Sequence, residues 1–155
     1  EVPFLADPAN ADRKFMRSLF EKNRTLWSSW AIIGTKYRIF YSGDTGYSNH
    51  FQEIGHRFGP FDLTLMEVGG YDPYWPDIHL NPEQAIDAHL DVKGRHLLPV
   101  HWSAYDLSLH DWDEPIKRTV KAAKQKNVEL VTLHIGENIE FGQQFSSSRW
   151  WEKIK

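Results

Sequence analysis

Two apolar runs, 62–68 (DLTLMEV) and 96–100 (HLLPV), bracket a segment that opens with Asn81-Pro82-Glu83-Gln84. Asn81 is a capping residue, Pro82 suits a first helical turn, and Ala85, Ile86 and Leu90 follow on one apolar face, so the spacing predicts a helix. Strand, helix and strand in succession require a crossover, and a crossover brings the second strand back parallel to the first. The pattern extends both ways. Upstream, 26–33 and 37–41 read as a hairpin joined by Gly34-Thr35-Lys36, and Ser48 or Asn49 can cap a helix carrying Phe51, Ile54 and Phe58. Downstream, Asp113-Glu114-Pro115 opens a helix with Ile116, Val120 and Ala123 on one face, ahead of a strand over 128–133. The expected fold class is α/β: a mixed sheet flanked by helices, with an irregular lead-in over 1–15. The tail over 145–155, carrying Trp150-Trp151, is expected to pack back onto the body.

The chain has 155 residues, 41% hydrophobic and 25% charged, which is one domain or part of one with enough apolar material for a core. The longest clean apolar run is 30–33, far short of the roughly 18 residues a membrane span needs. There is no cysteine, so disulfides and thiolate metal sites are excluded and a reducing, cytoplasmic setting is expected. A formal charge of −3 argues against nucleic acid as a partner.

In open α/β sheets ligands gather beyond the carboxyl ends of the strands. Three strand exits carry unusual residues: Asp44 in Ser42-Gly43-Asp44-Thr45-Gly46, the Gly69-Gly70-Tyr71-Asp72 segment, and His101-Trp102. If the strands are parallel, Asp44 and His101 share one rim, and a carboxylate with an imidazole suits zinc, manganese or iron. Asp44 equally suits a turn former, and His101 a hydrogen-bonded core residue. His79, just before the capped helix, reads either as an exposed loop residue or as a proton donor or phosphate partner near the rim. His89 lies on the helix's apolar face and reads as structural, while His50, His56, His96, His110 and His134 have no assigned role. Tyr71, Tyr74 and Trp75 either wall a binding site or pack their own loop. His-Glu-x-x-His, Gly-x-Ser-x-Gly and the phosphate loop are absent. Asp44-Thr45-Gly46 also invites comparison with aspartic proteases, but those enzymes are almost wholly β.

Taken together, 23–30 (NRTLWSSW), 40–47 (FYSGDTGY), 54–62 (IGHRFGPFD), 79–85 (HLNPEQA) and Val100-His101-Trp102 resemble, in order, the metallo-β-lactamase superfamily. The branch is that of N-acylphosphatidylethanolamine-hydrolysing phospholipase D and its bacterial relatives, and 149–152 (RWWE) resembles its bacterial members. The resemblance implies the C-terminal half of an αββα sandwich and a zinc-dependent hydrolase of phosphodiesters or related esters and lactones. It implies one or two Zn2+ per complete site, with Mn2+ or Fe2+ as alternatives. Asp44 would be a bridging metal ligand, His101 a ligand of the second metal, and His79 a proton donor or phosphate contact. Small-molecule or lipid phosphoesters are the implied substrates, with peripheral membrane contact compatible. The family's His-x-His-x-Asp-His motif does not occur here, and Arg13 stands where a further ligand histidine is expected. Two readings follow: a working hydrolase half, or a non-catalytic, degenerate binding module. A half-sandwich would expose an apolar sheet face, and so should form homo-oligomers or pair with its other half.

Overall fold

A computed structural model describes residues 28–105 and 108–154. Five strands form one sheet in the order β1-β2-β3-β4-β5: Trp30–Ile33, Arg38–Tyr41, Phe61–Glu67, Gly94–Val100 and Glu129–Leu130. Three helices lie between them, α1 (His50–Arg57), α2 (Pro82–Asp91) and α3 (Glu114–Lys126), and a 3₁₀ turn spans Trp150–Lys153. β1 and β2 form the antiparallel hairpin, and every later pairing is parallel. The mixed α/β class follows from the sequence pattern, and the three helices between the strands rule out the almost wholly β fold that an aspartic-protease reading of Asp44-Thr45-Gly46 needs.

Register divides each strand between two faces. Ala31, Phe40, Met66 and Leu97 face the helices and pack with Phe51, Ile86 and Val92. The capping box opening α2 is complete: Asn81 Oδ1 accepts the Gln84 N–H at 2.8 Å and Gln84 Oε1 accepts the Asn81 N–H at 3.1 Å. α1 differs from expectation. Asn49 takes helical backbone angles with no side-chain cap bond, and the Ser48 hydroxyl bonds His50 Nδ1 at 2.5 Å instead. The last strand is also shorter than 128–133. Beyond Leu130 the Val131 N–H still reaches Leu97 O at 2.8 Å, but Thr132 then pairs with Ser147.

Trp150 and Trp151 are buried with Ile116 against Trp102 and Trp112. Trp102 stacks on Trp150 at 5.2 Å and meets Trp151 edge-on at 5.7 Å, so the tail braces the segment that follows β4. Among the described residues no helix is long and apolar enough to cross a membrane. The expected lead-in over 1–15 lies outside the described residues.

Candidate metal centre

Because β2, β3 and β4 run parallel, their exits reach one rim. Ser42 is buried and tied to β3: its N–H donates to Leu65 O at 2.9 Å and its Oγ accepts the Glu67 N–H at 3.0 Å. Gly43 follows with φ 61°, where a Cβ would stand 2.4 Å from Ser28 O, so this turn needs glycine. The turn carries Asp44 to the rim with its side chain half exposed.

At the next exit, a Cβ on Gly69 would stand 2.4 Å from His101 O, so the ends of β3 and β4 are pressed together. Gly70 has φ 81°, and a Cβ there would lie 3.2 Å from His101 Cε1 and 3.3 Å from His79 Cδ2. The two imidazoles rest over its bare Cα. His101 itself, the first residue past β4, has φ 61°, a left-handed conformation that histidine adopts more readily than most side chains.

Asp44, His79 and His101 converge: one ligand-type atom from each lies within 4.8 Å of the others. His101 Nε2 is 3.7 Å from Asp44 Oδ2, and the two imidazole rings stack with centroids 5.0 Å apart. The hydrogen bonds set the tautomers. His79 Nδ1–H donates to Glu67 Oε2 at 2.8 Å, and His101 Nδ1–H donates to Gly69 O at 3.2 Å. A carboxylate and a carbonyl can only accept, so each ring keeps its Nε2 lone pair free. Histidine ligands of metals are oriented in this way. The hydrogen bond to Glu67 holds the His79 pKa above its ordinary value; burial opposes this, and the Glu67 and Asp44 charges reinforce it.

Donors around a tetrahedral ion with bonds near 2.1 Å are roughly 3.4 Å apart. The Asp44–His101 separation is close to this, and two imidazole nitrogens with a carboxylate oxygen form a donor set that a divalent ion accepts. These residues therefore fit a metal.

Sequence reasoning missed Glu67. It is 1% exposed, and besides His79 its Oε1 accepts the Thr45 N–H at 2.6 Å and the Leu80 N–H at 3.2 Å. One carboxylate thus holds the neighbour of Asp44, the neighbour of His79 and the His79 ring. The available signal was an acidic residue near the end of an otherwise apolar strand, ahead of a glycine pair.

Beside His79 lies a cavity of about 500 Å³ lined by Tyr71, Pro73, Pro76, Leu109, His110 and Arg118, among others. Of the three aromatics considered for a wall, Tyr71 lines it. Tyr74 is 82% exposed, and Trp75 braces the loop by donating Nε1–H to Gly70 O at 2.8 Å.

A parallel-stranded sheet with a carboxylate and two imidazoles at its rim defines the class, a metallohydrolase type of fold. A family model described as a beta-lactamase superfamily domain matches residues 2–102, and the chain belongs to the metallo-β-lactamase superfamily of metal-dependent hydrolases. It is 42% identical over 142 residues to an uncharacterised protein of Mycobacterium tuberculosis, covering 90% of this chain and 38% of that protein. It is 33% identical over 135 residues to an N-acyl-phosphatidylethanolamine-hydrolyzing phospholipase D of Caenorhabditis elegans, covering 82% of this chain and 38% of that protein. The chain thus spans well under half the length of these relatives. A metallo hydrolase from Ignicoccus hospitalis shares the fold with a TM-score of 0.61 at 19% identity, covering 79% of this chain and 49% of the other.

Proposed function

We propose that this chain is the C-terminal half of a zinc-dependent, phospholipase D-like hydrolase of phosphodiester or related ester bonds. Asp44 and His101 are its share of the metal ligands, and His79 is the acid-base group beside them. The convergence of the three side chains carries the proposal: His101, bonded through Nδ1, keeps Nε2 free to ligate, and His79, bonded through Nδ1 to Glu67, has Nε2 left to take up or release a proton. A divalent ion bound there would acidify a coordinated water and offset charge on the phosphoryl oxygens. His79 holds a proton at Nε2 when it is charged, a state that the Glu67 hydrogen bond favours, and can deliver it to a leaving oxygen. Gly69 fixes the His101 ring, and Glu67 keeps the Asp44 and His79 loops at one distance. Kinship with phospholipid-hydrolysing relatives supports a lipid phosphoester as substrate, and the setting proposed for it is cytoplasmic.

Arg13, standing where a ligand histidine is expected, favours a second reading: a module of the same fold that binds without hydrolysis. Elemental analysis of the purified chain tests the first. Zinc near one equivalent, lost in both Asp44→Asn and His101→Ala, is the expected result. No metal in the parent chain, with stability unchanged in both variants, would favour the module.

A further inference from the structure

The Gly69–Gly70 peptide is hydrogen-bonded at both ends by histidines. Its C=O, on Gly69, accepts His101 Nδ1–H at 3.2 Å; its N–H, on Gly70, donates to His110 Nε2 at 3.1 Å. His110 comes from the segment after β4, and its other nitrogen lies 3.0 Å from Asp111 O. A carbonyl only accepts, so Nδ1 carries the proton and Nε2 is left to accept from Gly70. The ring is clamped as well as bonded. It stacks on Tyr71 with centroids 4.5 Å apart, the Arg118 guanidinium lies over the Tyr71 ring at 4.8 Å, and the Tyr71 hydroxyl donates to Glu114 at 2.9 Å. Arg118 is anchored in turn by Glu83 and Glu114.

We propose that His110 is a positioning residue for the Asp44–His79–His101 site, acting through the Gly69–Gly70 peptide to fix the orientation and tautomer of His101. This role rests on the metal-site reading above, but the contact itself needs no metal. A peptide group is planar, so its C=O and N–H turn together. Holding the N–H therefore aims the C=O at His101, and donation at one end strengthens acceptance at the other. Without the His110 acceptor, a glycine pair has little of its own to resist rotation of this peptide. Gly70 Cα also lies under both imidazoles, so a turned peptide disturbs His79 too.

Two substitutions separate positioning from packing. His110→Phe keeps a ring to stack on Tyr71 but removes the acceptor, while His110→Gln loses the ring but places an amide oxygen near the Nε2 position. Imidazole nitrogen NMR on the metal-free chain reads the His101 tautomer, and calorimetric titration with Zn2+ reads affinity. The parent chain and His110→Gln are expected to keep the His101 proton on Nδ1. His110→Phe should give a mixture of tautomers, with Zn2+ binding weakened about tenfold, the lower range for residues supporting metal ligands. If His110→Phe leaves tautomer and affinity unchanged, or if Phe rescues and Gln does not, the ring only packs and the proposal is overturned. If the parent chain binds no Zn2+ while His110→Phe still redistributes the tautomer, the metal reading fails and the positioning role stands.

Discussion

At the scale of single residues, Glu67 and His89 show how buried polar groups are satisfied and what their removal costs. Glu67 accepts from Thr45, Leu80 and His79. Glu67→Gln keeps the size but turns one oxygen into a donor, so either the Thr45 and Leu80 N–H groups lose their acceptor or the His79 ring must give up its Nδ1 proton and the bond to a charged carboxylate. Such a loss costs about 1–3 kcal/mol, so urea unfolding should show a fall of about 2 kcal/mol. A variant as stable as the parent would mean the carboxylate does not join the two loops. His89 is 1% exposed, with Nδ1 2.7 Å from Thr64 Oγ1. Burial pushes its pKa down to about 4, and nearby His96 adds to the effect. The folded chain thus resists a proton that the unfolded chain accepts near pH 6.5. The neutral ring's contribution is intact above that pH and is lost progressively as pH falls toward 4, by about 3 kcal/mol. Stability measured from pH 7 to 4 should fall less steeply in His89→Gln than in the parent; equal slopes would refute the assignment.

At the scale of elements, α1 and α2 meet through Gly55. Helix propensity alone favours Gly55→Ala by about 1 kcal/mol. In the fold, a Cβ there would stand 2.0 Å from Asp91 O and 2.9 Å from Val92 Cα, backbone atoms that cannot rotate away. The expected sign is therefore reversed: a loss of about 1–3 kcal/mol with helical circular dichroism retained. A raised melting temperature would contradict the packing. This contrast also marks what the sequence could convey. The Asn81 cap, the apolar faces and the parallel order were legible because each depends on neighbours in the chain. Asp44 and His101 could be placed on one rim because parallel strands impose it. The lost cap at Ser48 was not legible, since His50 competes for the hydroxyl, and neither was the early end of β5, where Ser147 takes over Thr132 from 15 residues away. Glu67 hid within a strand period, and the Gly69–Gly70 peptide offers no side chain to read.

At the scale of the whole molecule, the sheet has one face for the helices and another for something else. On that second face Ile39, Leu63 and His96 form one cross-strand row, and Tyr41, Leu65 and Leu98 the next. The segment after β5 covers part of the first row: Phe145 meets His96 edge-on at 4.9 Å, and Phe141 stacks on Tyr37 at 4.4 Å. Both rows open toward the hairpin edge: Tyr41 of the second row is 38% exposed, and Ile32, which carries the first row onto β1 opposite Ile39, is 45% exposed. In a sandwich fold a second sheet packs against such a face, because stacked sheets remove apolar rows from water. An apolar face left open favours self-association. Sedimentation velocity should therefore show this chain associating as concentration rises. Ile32→Lys with Tyr41→Lys should shift it to monomer at little cost in stability, since both side chains already reach water and lysine keeps its stem on the surface while hydrating its charge. A parent chain that remains monomeric at every concentration would mean that the face is covered from within the chain.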